Sequence, residues 1–202
     1  GVEPSGDAFN SIRLGSDNRP FNPMVNAGAI ACTGLICERE QDGAFDWLLQ
    51  ALSRFAGVWS GMKTIQEIVE SSATAVIDPE RVKIVLPDFE MPAGGVHIRW
   101  PDDALSQEAR LFDFKWYAAL AYIRANRLNY NAIEGPNDRF GLIASGKAYN
   151  DTRQALVDLG LDDGACRQVG IRLHKVGVVW PLEAQLTREF ATGLQEILVI
   201  EE

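Results

Sequence analysis

The run "SGMK" places a serine and a lysine three residues apart, at Ser60 and Lys63. In an S-x-x-K element on a helix, the lysine activates the serine hydroxyl as a nucleophile. Residues 16–18, "SDN", fit the second element of the same catalytic set, but they precede Ser60 and no K-T-G element is present. Two interpretations stay open. Ser60 and Lys63 form a catalytic pair, or Ser60 lies in a turn before a helix and residues 16–18 are ordinary turn formers.

A second polar run, "ASGKAY", places Ser145, Gly146 and Lys147 where a predicted strand meets a predicted helix. Free N–H groups at the start of that helix could hold an anion, although the run lacks the pattern of a phosphate-binding loop. A structural turn is the alternative. His97 and His174 fall in predicted strands, which favours satisfied sheet histidines over ligands. No pair of carboxylates is singled out by spacing, so we assign no catalytic residue and no metal ligand.

The composition restricts the class of protein. Of 202 residues, 47% are apolar and 23% charged, as in a globular protein with a core, and the net charge of -9 argues against nucleic-acid binding. Three cysteines without a C-x-x-C pair predict a reducing, cytoplasmic environment, and they exclude a thiolate-bound cluster within this chain. No long apolar run predicts a membrane span.

The elements that must position these residues differ along the chain. Residues 1–23 are rich in turn formers, and the small residues from 24 to 35 predict a close-packed helix. Apolar residues recur at helical spacing in "DGAFDWLLQALSRFAG", a helix that Gly57 could end. The runs that follow predict a helix over 64–76, a strand over 81–87, and a Gly/Pro-rich connector over 92–103 that contains a short strand.

The carboxy-terminal part gives the clearest fold signal. A long helix, apolar on more than one face and therefore buried, is predicted over 105–126. Strands and helices then alternate, which indicates an α/β fold with an open parallel sheet and right-handed crossovers. The predicted strands are 139–145, 171–179 and 196–202, and the predicted helices are 148–160 and 183–193.

The first 36 or so residues resemble the serine-dependent glutaminases, whose fold is similar to that of serine β-lactamases. The resemblance is carried by "GVEPSG", "FNS" and "RPFNPMVNAGAI". It implies that Asn26 contacts the glutamine substrate. It also implies a nucleophile in an S-x-x-K element upstream of "EPSG", whereas this chain opens at Gly1. Both ends of the sequence predict a fragment.

From about Leu52 onward the chain resembles bacterial indolepyruvate ferredoxin oxidoreductase. Long runs carry the resemblance, among them "HIRWPDD" and "FKWYAALAYIRANR". It implies oxidative decarboxylation of aryl 2-oxoacids to acyl-CoA. It also implies thiamine diphosphate, Mg²⁺ and 4Fe-4S clusters for the whole enzyme, none of which is expected to bind this chain alone. The implied partners are ferredoxin, CoA, a 2-oxoacid and the remaining parts or subunits of the oxidoreductase.

These resemblances predict a chimera or fused fragment. Residues 1–45 would be a partial, helical glutaminase-like segment, and residues 46–105 the end of a pyrimidine-binding-like domain with its connector. Residues 106–202 would be a helix followed by a transketolase C-terminal-like α/β domain. The leading prediction is an oxidoreductase fragment that is inactive alone. The alternatives are a glutaminase, which hydrolyses L-glutamine to glutamate and ammonia, and a non-catalytic α/β scaffold.

Overall fold

The structure of the chain is a computed structural model that describes residues 29–32, 44–62, 83–97 and 103–201. Within these ranges lie seven strands and six α-helices, with one π-helical turn. The strands are β1 (Ala29–Cys32), β2 (Trp59–Met62), β3 (Asn129–Ile133), β4 (Phe140–Ser145), β5 (Ile171–Val176), β6 (Val178–Trp180) and β7 (Glu196–Ile200). The helices are α1 (Ala44–Ala56), α2 (Ala104–Arg110), the π-helical turn (Leu111–Lys115), α3 (Trp116–Ala125), α4 (Gly146–Asp158), α5 (Asp163–Val169) and α6 (Ala184–Ala191).

A four-stranded sheet with helices packed against it forms the carboxy-terminal part, so the predicted α/β class is confirmed. The strand order is β3-β5-β4-β7, and β4 runs parallel to both of its neighbours. The sheet is not wholly parallel, however, because β3 pairs with β5 in the antiparallel direction. The polar run "NYNAI" does not predict a strand.

A three-stranded sheet in the order β2-β1-β6 joins distant parts of the chain. Strand β1 pairs parallel with β2 and antiparallel with β6. The helix predicted over 24–35 is therefore wrong at 29–32. The strand predicted over 171–179 is also divided at Gly177, since β5 and β6 belong to different sheets. In both places the pairing of strands that are distant in sequence overrides the local pattern.

Helix α1 forms as predicted and buries one face. Leu48, Leu49 and Leu52 lie on that face at helical spacing and pack against α3. Gly57 ends the helix with φ +64°, and its N–H donates to the carbonyl oxygen of Ser53 at 3.0 Å. A Cβ at Gly57 would lie 2.6 Å from the carbonyl oxygen of Val96, so both the backbone angle and the space require glycine.

The long predicted helix is confirmed as a continuous run through α2, the π-helical turn and α3. The expectation that most of it is buried holds for α3, where Tyr122 and Ile123 are inaccessible to solvent. It fails for α2, which has no buried residue. Phe112 and Tyr117 are also more than half exposed, at 52% and 56%. Apolar residues on several faces therefore did not mean burial on every face.

The strand predicted over 81–87 is wrong for its described part, since residues 83–87 are extended without a strand neighbour. The side chain of Asn126 takes that place. Its Oδ1 accepts from the N–H of Val85 at 2.8 Å, and its Nδ2 donates to the carbonyl oxygen of the same residue at 2.8 Å. The connector has no strand over 92–97, whereas its residues 98–102 and the helix predicted over 64–76 lie outside the described ranges.

Two hydrophobic clusters stabilise the described part. The first joins α1 to α3 and to β6, and its members are Leu48, Leu49, Leu52, Ala56, Val58, Leu111, Ala118, Ala119, Tyr122, Ile123, Leu128 and Val178. The second lies between the four-stranded sheet and helices α4 and α5, and its members are Ile133, Ala144, Ala148, Tyr149, Leu156, Cys166 and Leu173. No helix in the described ranges has both the length and the apolar composition needed to cross a bilayer.

Candidate functional site

Ser60 lies in strand β2, where its Cα is the partner of Ile30 in β1. Its hydroxyl donates a hydrogen bond to the backbone carbonyl oxygen of Leu49 at 3.1 Å. S-x-x-K chemistry needs both residues on one helical turn, whereas residues three apart in a strand project to opposite faces. Lys63 lies outside the described residues. The turn interpretation of Ser60 is wrong because β1 draws this run into a sheet, and the nucleophile interpretation gains no support.

Ser60 also lines a surface depression of about 340 Å³, which we name the Arg54 depression. Its described lining consists of Gln50, Ser53 and Arg54 from α1 and of Trp59 and Ser60 from β2. The three helical residues lie three and four positions apart, so they share one face of α1. This face is polar because the apolar face of the same helix packs against α3.

Hydrogen bonds fix the two hydroxyl groups of the Arg54 depression. The Ser53 hydroxyl donates to the carbonyl oxygen of Val58 at 2.6 Å, as the Ser60 hydroxyl does to Leu49. Each hydroxyl oxygen keeps lone pairs with which it can accept a hydrogen bond. Trp59 is 60% exposed, and no carboxylate among the described residues pairs with Arg54. The depression therefore offers a cation, an aromatic face and hydrogen-bond acceptors.

His174 lies in β5 and is almost completely buried, as predicted for a sheet histidine. Its Nδ1 lies 2.7 Å from Oδ1 of Asn131, and its ring packs on Phe190 with centroids 4.8 Å apart. Because an amide oxygen only accepts, Nδ1 carries the proton. Nε2 is then a buried acceptor with no partner among the described residues. Burial lowers the pKa of His174 to about 4, so the ring is neutral at pH 7.

The other residues proposed from the sequence have structural positions. His97 is exposed and lies outside any strand, so its prediction as a sheet histidine is wrong. The turn interpretation of "ASGKAY" is confirmed, since Ser145 is the last residue of β4 and Gly146, at φ +51°, begins α4. Lys147 forms an ion pair with Asp151 one turn along that helix. Nothing here singles out an anion site.

The sequence did not reveal the buried ion pair between Arg172 and Asp138. Arg172 Nε donates to Asp138 Oδ2 at 2.9 Å, and its Nη1 donates to the carbonyl oxygens of Phe190 and Thr192 at 2.6 and 2.9 Å. These bonds hold α6 and the chain after it on the sheet. An arginine inside the strand run "IRLHKV" is the one signal that could have revealed a buried charge.

A second depression, of about 430 Å³, lies between α4, α5 and β3. Its floor is apolar, with Ile133, Leu156 and Leu161, and its rim carries the ion pair between Arg153 and Asp163, whose Nη1 and Oδ1 are 2.7 Å apart. Asp162 also lines this depression and accepts from the N–H of Ala165 at 2.8 Å, so the charge that the rim presents beyond the ion pair is negative.

Asn26 and residues 16–18 lie outside the described ranges, so their predicted roles stay predictions. Among the residues that the structure describes, no group of three or more His, Cys, Asp or Glu side chains is arranged to hold a metal ion. Among the described residues, the Arg54 depression is the candidate ligand site, and its described lining holds no nucleophile–base pair.

Comparison with known families finds two matches. The glutaminase family model matches residues 1–79, and the model described as indolepyruvate ferredoxin oxidoreductase middle domain matches residues 129–202. The first range contains β1, α1, β2 and the Arg54 depression, and the second contains the whole four-stranded sheet. The two matched ranges meet in the three-stranded sheet, where β1 pairs with β6.

Curated relatives are glutaminases. Glutaminase 1 of Bradyrhizobium diazoefficiens is 74% identical over 185 residues, which are 88% of this chain and 27% of that protein. Glutaminase 2 of the same organism is 63% identical over 75 residues, 37% of this chain and 12% of that protein. Glutaminase of Microcystis aeruginosa is 52% identical over 58 residues, 28% of this chain and 17% of that protein. The chain thus spans at most 27% of the length of these relatives.

These findings contradict the predicted function as an oxidoreductase fragment. A protein named as a glutaminase is 74% identical to this chain across 88% of its length, whereas the oxidoreductase match is confined to one domain. The glutaminase family model matches a second, separate range of the chain, residues 1–79. The prediction failed because a shared domain was taken for a shared reaction, and one domain can serve several functions.

The expectations about cofactors and partners came from the resemblance to the oxidoreductase. Thiamine diphosphate and iron–sulfur chemistry have no support beyond the domain match to residues 129–202. The expectations about ferredoxin, CoA and a 2-oxoacid stay untested predictions and are not carried further.

Proposed function

We propose that the chain is part of a glutaminase, which hydrolyses the side-chain amide of L-glutamine to glutamate and ammonia. One observation carries the proposal: the 74% identity over 185 residues to a protein named Glutaminase 1. The family match to residues 1–79, a range that includes the run "RPFNPMVNAGAI", agrees with it. We further propose a cytoplasmic location, consistent with the buried, unpaired thiol of Cys166.

The proposed contribution of this chain is to bind the substrate, with Asn26 as the residue that contacts glutamine. A carboxamide can donate and accept hydrogen bonds at the same time, which suits a substrate that is itself an amide. Ser60 is not proposed as the nucleophile. Its hydroxyl donates to the Leu49 carbonyl at 3.1 Å, and Ser60 lies in a strand rather than on a helical turn.

For residues 129–202 we propose a transketolase C-terminal-like layout. It is supported by the central parallel strands β5, β4 and β7 and by the helices α4 and α6 that connect them. A non-catalytic scaffold is the second candidate function for this part. It is favoured by the way Arg172 and Asp138, both buried, bind each other and the backbone rather than facing a cavity.

Calorimetric titration of the 202-residue chain with L-glutamine tests the proposed function. We expect saturable binding that Asn26→Asp weakens at least about tenfold, because the change removes two donors and adds a negative charge, and hydrogen bonds to charged ligand groups are strong. Asn137→Asp is the matched control, since it makes the same change at an exposed position and should bind glutamine normally.

Two results would overturn the proposal. One is the absence of glutamine binding by the wild-type chain, and the other is equal binding by Asn26→Asp. Ser60→Ala separates binding from chemistry, since glutamine binding and any ammonia release should both survive this substitution. Loss of ammonia release in Ser60→Ala would restore the nucleophile interpretation.

A further inference from the structure

We propose that the Arg54 depression binds a small amino-acid carboxylate, with L-glutamate as the ligand, through residues other than Asn26. The choice of an amino acid rests on the proposed function, because glutamate is the product of that reaction. The site itself rests on a different observation. Five side chains of complementary chemistry line one depression of about 340 Å³, a size suited to a small metabolite.

Arg54 supplies the group that recognises a carboxylate. Its guanidinium carries N–H donors in a planar fork, which fits the two oxygens of a carboxylate. Arg54 is exposed in the last turn of α1, and no described carboxylate competes for it. Among the described residues, an incoming anion would therefore have no carboxylate to displace.

Trp59, Ser53 and Ser60 supply a complementary environment for an ammonium group. Both hydroxyl protons are donated to backbone carbonyls, of Val58 and Leu49, so the hydroxyl oxygens are left as acceptors. An ammonium group has only donors to offer, and it also interacts favourably with the face of an indole. At 60% exposure, the Trp59 ring is accessible to such a ligand.

Gln50 completes the set beside Arg54. Its carboxamide lies on the same helical face, four residues before Arg54, and can donate to a second carboxylate or pair with an amide. The depression therefore matches the three polar groups of glutamate.

Fluorescence titration of the full chain with L-glutamate tests the proposal. Binding should change the emission of Trp59 in a saturable way, and Trp59→Phe should abolish that change while the other four tryptophans stay in place. Arg54→Gln should weaken binding at least about tenfold, because it removes a charge-assisted hydrogen bond. Arg54→Lys, which keeps the charge but loses the fork, should bind with intermediate affinity.

The matched control is Arg188→Gln. Arg188 is also an exposed arginine in the last turn of a helix, α6, and lies far from the Arg54 depression in sequence. Its substitution should leave the titration unchanged. Added salt should weaken glutamate binding, since an exposed charge pair is screened.

The proposal is overturned if L-glutamate leaves Trp59 emission unchanged, or if Arg54→Gln binds as tightly as the wild type. Propionamide, which has neither the carboxylate nor the ammonium group, should give no Trp59 response, and a response to it of equal strength would also count against the site. Failure of the proposed function is a separate result, because it appears as glutamine binding that Asn26→Asp leaves unchanged when calorimetry is done in an Arg54→Gln background, where the depression contributes little.

Discussion

The two parts of the chain that match known families differ in where their cores come from. The four-stranded sheet buries Leu173 and Leu156 against its own helices, and every member of its cluster lies between residues 133 and 173. Helix α1, in the glutaminase-matching part, instead buries Leu52 against α3, which lies outside both matched ranges. The carboxy-terminal part therefore carries its own core, whereas the described amino-terminal part shares one.

That difference shows that matched ranges are not the same as folding units. Polar contacts also join the described amino-terminal part to distant residues, and an ion pair between Arg124 and Glu183, 2.9 Å apart, links α3 to the carboxy-terminal part as well. Tyr122 on α3 donates from its hydroxyl to the Leu48 carbonyl at 3.0 Å, and Lys115 Nζ donates to the Gly57 carbonyl at 3.0 Å. The elements that carry the Arg54 depression are thus held in place by residues more than 50 positions away. Changes in α3 should consequently disturb this depression, while changes in the sheet should not.

The largest expected effect comes from removing one core side chain from each part. Leu52 and Leu173 are both 0% exposed. We expect Leu52→Ala and Leu173→Ala each to cost about 2–5 kcal/mol of unfolding free energy, from lost burial and the cavity left behind. Hydrogen exchange should show loss of protection in α1 and α3 for Leu52→Ala, and in β4 and β5 for Leu173→Ala.

Hydrogen exchange in these two variants tests whether the two cores unfold separately. If Leu52→Ala lowered protection equally in β4 and β5, the two parts would unfold as one unit and the separation of the two cores would be meaningless. If Leu173→Ala left the sheet protected, its core would not be the one described.

Acidification should have an intermediate effect on the unfolding free energy, and this effect should originate in the four-stranded sheet. His174 has a pKa of about 4 when folded and an ordinary value of 6.5 when unfolded. Between these values the unfolded state binds more protons, so stability falls as pH drops from 6.5 towards 4. The full loss is about 3 kcal/mol, since one pKa unit corresponds to about 1.4 kcal/mol.

Urea unfolding at several pH values measures this dependence. His174→Gln should remove most of the fall in unfolding free energy between pH 6.5 and 4. His97→Gln, at an exposed position, should show the same fall as the wild type. A slope that is the same in all three proteins would show that His174 is not the titrating group.

The smallest effect is expected at the contact between α3 and α1. Tyr122→Phe removes the hydrogen bond to Leu48 and should cost about 1 kcal/mol. Burial raises the pKa of Tyr122 to about 12, so its phenol stays protonated and able to donate over the usual pH range. Tyr117→Phe, at a position 56% exposed, is the control and should be neutral.

Thermal unfolding of both variants sharpens the comparison. A lower melting temperature in Tyr122→Phe, together with a weaker Trp59 response to L-glutamate, would link α3 to the Arg54 depression. An unchanged melting temperature would show that apolar packing alone joins α1 to α3.

Much of the fold could be predicted where the signal is local. Helix α1 and its end at Gly57 follow from apolar spacing and from one glycine, and the alternation after residue 139 predicts β4, α4, α6 and β7. The candidate site could not be predicted in this way. Ser60 and Arg54 lie in different elements, and only the packing of α1 beside β2 brings them together. The nearby S-x-x-K pattern pointed instead to a reaction that the strand geometry does not support.

The sequence by itself determined the helix and strand periods and the resemblance of "RPFNPMVNAGAI" to glutaminases. The tertiary structure alone decided that residues 29–32 form a strand and that the run 171–179 divides at Gly177 between two sheets. It also decided that Asn126 takes the place of a strand beside Val85. The reason is that a helix is satisfied by neighbours four residues away, whereas a strand needs a partner from elsewhere in the chain, which its own residues do not specify.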